Sequence, residues 1–193
     1  GATSFNGYIA DWDVSSVTDM ASMFNGATSF NGDMSDWDWD VSSVTDMSYI
    51  FSNADFNGDI SSWDVSNVTD MDRMFLYADE LVGVYKCYIH ISFSSNSIWP
   101  YDWEEYCFKP ETRDELKAAV DEWIEDSESA ESTYGEINTW DTSLITDMSE
   151  LFYEESTFND DISDWDVSSV TDMDTMFMRA SYFNQDISDW DVS

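Results

Sequence analysis

The sequence predicts an α/β repeat fold of short parallel strands and short helices, arranged in two arrays. Three observations carry this prediction. A Phe-Asn pair recurs, a ten-residue string between the pairs is rewritten each time, and the spacing from Trp12 to Trp37 is 25 residues. A fixed period of this length is typical of solenoids, in which stacked neighbours complete each other's core. The recurring pairs begin at Phe5, Phe30, Phe56, Phe158 and Phe183.

The strand of each repeat is predicted from its apolar spacing. In the first repeat, Ile9, Trp12 and Val14 follow the pattern of the strand segment of a leucine-rich repeat. Alternation along a strand should turn Trp12 and Val14 inward. The same alternation should turn Asp11 and Asp13 outward.

The helix of each repeat is predicted from a start signal and a helical spacing. Ser16-Val17-Thr18-Asp19 has the form of a capping box. Met20, Met23, Phe24 and Ala27 follow it at the spacing of one helix face. We therefore expect a short helix here, with the Met and aromatic columns forming the core of the stacked repeats.

One repeat carries an extra Trp-Asp pair, in the string Asp36-Trp37-Asp38-Trp39-Asp40. We expect one of Trp37 and Trp39 to fill the core column and the other to bulge outward. An exposed Trp39 is a candidate contact residue for a partner. A local bulge with no function is the alternative.

The periodic pattern divides the chain into four segments. Residues 1–80 form the first array, 81–109 an irregular aromatic insert, 110–133 a capping helix with its connector, and 134–193 the second array. Within the insert, Val84 to Ile91 alternates in part and predicts a short strand or hairpin. Thr112 and Glu115 form a second capping box, which predicts a helix from Pro110 to Asp126 that covers the first repeat of the second array.

Charge limits the classes of partner. The chain has 42 acidic and 6 basic side chains and a formal net charge of −36, which argues against nucleic acid and anionic membrane surfaces. No apolar run of membrane-spanning length and no signal peptide occur in the sequence. Both termini fall within a repeat, so we expect the chain to be a segment of a longer protein.

The regular repeats use aspartate rather than glutamate, since every glutamate lies between Glu80 and Glu155. Carboxylates stacked about 4.8 Å apart repel each other by about 1 kcal/mol in water, so a basic partner, divalent cations or salt screening should offset the repulsion. Ca²⁺ is the one possible cofactor, and a merely solvated surface is the alternative. The predicted binding residues are Asp11, Asp13, Asp36, Asp38, Asp64, Asp141, Asp164, Asp166, Asp189, Asp191 and Trp39.

The residues needed for catalysis are scarce. One histidine, His90, two cysteines and no glycine-rich phosphate loop leave no triad or zinc set, so we expect no enzyme activity. Cys87 and Cys107 both lie in the insert. We expect a disulfide between them in an oxidising compartment, with free thiols as the alternative.

The string Trp-Asp-Val-Ser-x-Val-Thr-Asp-Met-x-x-Met-Phe, complete at Trp165 to Phe177, resembles the BspA-type leucine-rich surface-protein repeat of bacteria and marine protists. The stretch from Phe108 to Trp140 resembles the helical segment that precedes such arrays in protist members. The resemblance implies a right-handed solenoid, a surface or adhesion role and no catalytic residues.

The predicted function is a non-catalytic scaffold or adhesion module, extracellular or on a cell surface. Its acidic concave face would bind a basic protein partner, same-family repeats or cations, with no nucleic acid and no membrane insertion. The alternative is a structural or accessory subunit of a larger assembly or filament. In that case the uncapped array ends would dock, including end-to-end self-association.

Overall fold

The computed structural model describes residues 3–30, 34 and 37–193. The chain divides into two compact units, Gly1–Tyr106 and Cys107–Ser193. Three α-helices are present in the described residues: α1 at Gly83–Phe93, α2 at Arg113–Glu125 and α3 at Ser127–Tyr134. Short 3₁₀ turns occur at Glu104–Tyr106 and Ile137–Thr139.

The predicted fold class, a leucine-rich-repeat-like α/β solenoid, is wrong. The described residues form no β-strand, and the parallel pairing between repeats is limited to three isolated bridges. The three helices lie outside the regular repeats. The bridges join Asp19 to Asp46, Asp46 to Asp70, and Asp147 to Asp172.

The repeats lack the predicted helix because their N–H groups bond in two other directions. From Met20 to Ala27, alternate N–H groups close tight turns three residues back, as from Met23 to the Met20 carbonyl. The N–H groups between them donate to the next repeat. Ser22 and Gly26 have positive φ values of 58° and 72°, which an α-helix does not allow. Helical spacing in the sequence therefore reflects successive turns.

Most backbone hydrogen bonds between repeats form a ladder with one direction, and only the N–H groups near one threonine of each repeat donate back, as from Thr45 to the Thr18 carbonyl at 2.9 Å. Four N–H groups of each repeat donate to carbonyls of the following repeat, as from Phe24 to Ile50 at 2.9 Å and from Phe152 to Met176 at 2.9 Å. A repeat that begins an array therefore presents carbonyls, and a repeat that ends an array presents N–H groups. Backbone groups left unpaired in a buried position cost free energy, so each end needs a different partner.

Aromatic columns fill the space between the turns. In the first unit, Phe24, Phe51 and Phe75 stack with ring centroids 5.5 and 5.6 Å apart. In the second unit, Phe152 and Phe177 stack at 5.4 Å with rings almost parallel. One repeat cannot bury this surface alone, so the column depends on its neighbours.

Two predictions about tryptophans are wrong. Trp37 and Trp39 are both buried, so neither bulges outward, and Trp39 stacks on Trp63 at 6.2 Å. Trp39 therefore presents no exposed ring to a partner. The extra pair is accommodated because Trp37 packs edge-on against Phe30 while Trp39 takes the column. Trp12, predicted to point inward, is 53% exposed because no described aromatic ring covers its outer face.

The predicted strand in the insert is wrong, because these residues form helix α1. Ile89 and Phe93, four residues apart, lie buried on one face of α1, so the apolar spacing is helical here. The insert covers the last repeat of the first unit. Ser92 donates to the Ser61 carbonyl, and the Tyr101 hydroxyl accepts from the Phe75 N–H at 2.8 Å.

Helix α2 was predicted from its capping box, and that box is present. The Thr112 side chain accepts from the N–H of Glu115, and the Glu115 carboxylate accepts from the N–H of Thr112. Leu116, Val120 and Trp123 form the buried face of the helix. That face belongs to the core of the second unit.

Candidate functional site

The first candidate surface is a row of aspartates that each precede a Val-Ser or Thr-Ser pair, named here the Asp-Val row. Each carboxylate accepts from the backbone N–H of the serine two residues on, as Asp40 does from Ser42 at 3.1 Å. The serine hydroxyl often donates to the same oxygen, at 2.6 Å in that pair. Each unit has its own part of the row: Asp13, Asp40 and Asp64 in the first unit, and Asp141, Asp166 and Asp191 in the second.

A second row precedes the first core methionine of each repeat, which is buried or partly buried, and is named the Asp-Met row. Here too the carboxylate accepts from the N–H two residues on, from Ala21 to Asp19 at 2.9 Å and from Asp174 to Asp172 at 2.9 Å. This is the column that the sequence predicts as helix starts. No helix follows it, and the carboxylate instead closes an Asx turn. The row consists of Asp19, Asp46, Asp70, Asp147 and Asp172.

These turns explain why the two rows consist of aspartate, although glutamates such as Glu150 and Glu154 occur elsewhere in the repeats. A carboxylate one bond from Cβ reaches the N–H two residues on, whereas glutamate is one methylene longer and does not mimic that turn. The absence of glutamate was interpreted from the sequence as fitness for fixed binding positions. Its cause in the structure is local backbone geometry, and the fixed positions follow from it.

Hydrogen bonds lower the pKa of the three Asp-Val carboxylates of the first unit. The Ser42 hydroxyl and then the Ser42 N–H lower the pKa of Asp40, while burial and the charges of Asp64 and Asp13 raise it by less. Bonds from the following serine likewise lower the pKa of Asp13 and Asp64. The charges of Asp13 and Asp64, one repeat before and one repeat after, both act on Asp40.

The extra Trp-Asp pair changes which aspartate joins the row. Asp38 was predicted as a site residue, but Asp40 makes the Asx turn with Ser42, and Asp38 is exposed outside the row. Asp40 was missed in the sequence. The Asp-Val-Ser string that it begins, shared with Asp13, was the available signal. Asp36 lies outside the described residues.

The aspartates two positions earlier form no common site with the row. Asp11, Asp164 and Asp189 are exposed, and Asp164 accepts from the side-chain amide of Asn138 at 2.9 Å. In the described part of the chain, no group of three or more histidine, cysteine or carboxylate side chains could hold a metal ion. The structure therefore offers separate fixed charges.

The cysteines and the histidine are used structurally. Cys87 and Cys107 are disulfide-bonded. His90 accepts through Nδ1 from the indole N–H of Trp99 at 3.2 Å, within the aromatic insert. Among the described helices, none has both the length and the apolar character that crossing a membrane requires.

These features define a class: a protein of stacked 25-residue turn repeats, whose aspartates face solvent in Asx turns. The family model described as "Mycoplasma protein of unknown function, DUF285" matches residues 1–84 and 121–193. The chain belongs to this family. No curated protein and no solved structure matches it.

The family match corrects the resemblance drawn from the sequence. The repeats match no BspA or leucine-rich-repeat family, so that assignment is wrong. The shared string of apolar and aspartate residues is compatible with strands and helices and with a ladder of turns. Only the positive φ values and bridge-limited pairing of the structure separate the two.

Proposed function

We propose that this chain is a non-catalytic binding module, extracellular or on a cell surface, whose Asp-Val row binds a basic protein partner. The observation that carries the proposal is the row itself. Its carboxylates are fixed by their own backbone turns, and five of the six are exposed. Pre-positioned charges lose little freedom when they bind, which favours association.

The net charge of the chain supports a basic partner. A charge of −36 attracts cationic surfaces over several ångströms and speeds their encounter, an effect that salt screens. The described residues contain no cluster of three or more histidine, cysteine or carboxylate side chains suited to a metal ion, and the proposal is for a protein partner.

The disulfide supports the proposed location. Bonds between cysteines persist in oxidising compartments and are rare in the cytosol, where thiols are kept reduced. Cys87 and Cys107 are the two cysteines of the chain and are bonded. Mass spectrometry without reduction, on protein from its native source, should therefore find no alkylatable thiol.

The binding test uses charge removal that preserves the turns. In Asp40→Asn/Asp64→Asn/Asp166→Asn, the amide oxygen can still accept the N–H bond, so the fold is kept while three charges are lost. A fluorescent oligolysine should bind the parent chain and lose about tenfold in affinity for the variant, as three exposed ion pairs of up to about 1 kcal/mol each allow.

The matched control is Glu104→Gln/Glu105→Gln/Glu111→Gln, which removes the same charge from exposed positions outside the rows. Equal loss in both variants would show that only net charge matters and would contradict a function for the row. Competition by Ca²⁺ well beyond that of Na⁺ at matched ionic strength would indicate a cation site instead.

A further inference from the structure

One exposed column of the repeats holds an asparagine where its other members are serine or leucine. The column consists of Ser16, Ser43, Asn67, Leu144 and Ser169. Asn67 is followed by Val68 and Thr69, and an asparagine two residues before a threonine is the acceptor sequence for N-linked glycans. Every other asparagine of the chain lacks serine or threonine two residues on. The sequence thus singles out one position for this modification.

The acceptor sequence lies in a tight turn at the surface. The N–H of Val68 donates to the carbonyl of Val65 at 3.0 Å, which makes Asn67 the third residue of a four-residue turn. Val68 is only 3% exposed and anchors the turn in the core, whereas Asn67 and Thr69 are exposed. No helix follows Asn67, so it is not a helix cap. A bulky glycan on this side chain would extend into solvent without displacing the core.

The hydrogen bond of the Asn67 side chain is compatible with the modification. Nδ2 donates to the carbonyl of Ser42 in the preceding repeat at 2.9 Å. An amide nitrogen carries two hydrogens, and the Ser42 carbonyl is the one acceptor of Nδ2 among the described residues. Replacement of the other hydrogen by a sugar leaves one N–H for Ser42. The modified chain can therefore keep the fold of the unmodified chain.

A glycan on Nδ2 would begin beside the Asp-Val row of the first unit. Ser42, whose carbonyl accepts from Asn67, also donates to the carboxylate of Asp40. The N–H of Ser66, the residue before Asn67, donates to Asp64. Nδ2 is thus bonded to one of these turns and adjacent in sequence to the other. In the second unit this column has no asparagine, so its part of the row has no such neighbour.

We propose that Asn67 is an N-glycosylation site. The donor is a lipid-linked oligosaccharide pyrophosphate, used by the glycosyltransferase of the secretory route. Nδ2 attacks the anomeric carbon of the first sugar and releases one proton, and a carbon–nitrogen bond forms. The bond between that carbon and the pyrophosphate oxygen breaks, and the lipid pyrophosphate leaves with its electron pair. The inference rests on the proposed extracellular location, which the disulfide of Cys87 and Cys107 supports.

Mass spectrometry of protein from its native source tests the proposal directly. Cleavage before aspartates releases the peptide Asp64 to Thr69, which contains the whole acceptor sequence. We expect most copies of this peptide to carry a glycan. A glycan-releasing amidase in heavy-oxygen water should then convert Asn67 to an isotope-labelled aspartate. A native peptide found entirely with unmodified Asn67 would overturn the proposal.

Two variants, secreted with the parent from a eukaryotic host, locate the site. Asn67→Ser has the residue of the neighbouring repeats, so it should fold and should carry no amidase-sensitive glycan. Asn67→Ser/Ser169→Asn is the matched control, because it places the same Asn-Val-Thr string in the same exposed column of the second unit. We expect one glycan on the parent and one on the control. A parent without a glycan would overturn the proposal, whether or not the control is modified.

The test of Asn67 is independent of the test of the Asp-Val row, because glycan occupancy is read from mass and needs no partner. A glycosylated chain could lose oligolysine equally in Asp40→Asn/Asp64→Asn/Asp166→Asn and in its glutamine control. That result would contradict a function for the row and support this inference. Unmodified Asn67 in a chain whose row binds oligolysine as proposed would overturn this inference alone.

Discussion

The last repeat of the first unit and the first repeat of the second unit are both covered, but by opposite chemistry. At the first, the ladder ends in N–H groups, and Tyr101 presents a hydroxyl oxygen to Phe75. At the second, the ladder begins with carbonyls, and Arg113 presents two N–H donors to Ser149.

The difference follows from the direction of the ladder. Because four N–H groups of a repeat donate forward and few donate back, the two ends of an array are not equivalent, and each needs the complementary group. At the N–H end, the uncharged hydroxyl group of Tyr101 is the acceptor. The carbonyl end accepts N–H donors, and the otherwise acidic segment that covers it places the guanidinium group of Arg113 there. This contrast yields tests that span a wide range of expected effects.

The largest effect is expected at the tryptophan column. Trp140→Ala should destabilise the second unit by about 3–5 kcal/mol, because it empties a buried site contacted by three aromatic rings. Trp12→Ala, in the same column but exposed, should cost far less. Chemical denaturation of the two variants measures the loss in free energy of unfolding. Equal losses would contradict the claim that Trp140 is covered by other side chains and Trp12 is not.

The disulfide should contribute the next largest effect. Replacing Cys87 and Cys107 by serine opens a loop of 21 residues, which in the chain-entropy view costs about 3 kcal/mol. The denaturation midpoint of the double variant should fall accordingly. The reduced parent is the control, and a parent whose stability does not respond to reduction would exclude this contribution.

Tyr101→Phe tests the N–H end. It leaves the buried N–H of Phe75 without its acceptor, at a cost of about 1–3 kcal/mol. Tyr182→Phe, at a side chain that is 71% exposed, is the control. A variant as stable as the control would show that the hydroxyl is not needed.

The hydrogen bond between Tyr101 and Phe75 should also make the stability depend on pH. Burial raises the pKa of Tyr101 above its ordinary value of 10.0. A group with a raised folded pKa contributes stability that is complete below the unfolded pKa and is lost as pH rises through the folded value. The stability difference between parent and Tyr101→Phe should therefore be constant up to about pH 10 and shrink above it.

Arg113→Lys tests the carbonyl end with charge conserved. Lysine cannot reproduce two N–H donors in a fixed plane, so a loss of about 1 kcal/mol is expected at this partly exposed site. Arg179→Lys, at an exposed pair with Glu154, should change stability less. Thermal unfolding of the two variants gives the change in melting temperature of each. Equal small changes would contradict a role for Arg113 beyond that of an exposed ion pair.

The smallest effect concerns the Asx turns. Asp64→Asn should be nearly neutral, since its side-chain oxygen still accepts from the Ser66 N–H. Asp64→Glu should lower the melting temperature measurably, because the longer side chain misplaces the carboxylate. If glutamate were tolerated as well as asparagine, the aspartate bias of the repeats would need another cause.

Parts of this architecture could be predicted from sequence and parts could not. The period, the core columns and the capping box of α2 follow from apolar spacing and short-range hydrogen bonding, which sequence reports directly. The turn ladder does not, because Met20, Met23, Phe24 and Ala27 have the spacing of a helix. Only the positive φ at Ser22 and the bonds to the next repeat exclude one.

The candidate surface shows the same division. The period of the sequence alone assigns Asp13 and Asp64 to one column, and both make the same Asx turn. The extra Trp-Asp pair shifts the numbering of the second repeat by two residues, so Asp40 was not assigned to that column. The role of Arg113 was also beyond the sequence. It depends on the direction of hydrogen bonds between repeats, which no residue pattern states.

Amide hydrogen exchange tests the central claim, that ladder direction sets what covers each end. Phe75 and Phe177 share one column, but only the N–H of Phe75 has an acceptor among the described residues. We predict that the Phe75 amide is protected from exchange in the parent and loses this protection in the Tyr101→Phe variant. In the variant it should exchange as fast as the Phe177 amide, which should be unprotected in the parent and in the variant alike. Unchanged Phe75 protection in the variant, or equal protection of Phe177 in the parent, would contradict the account.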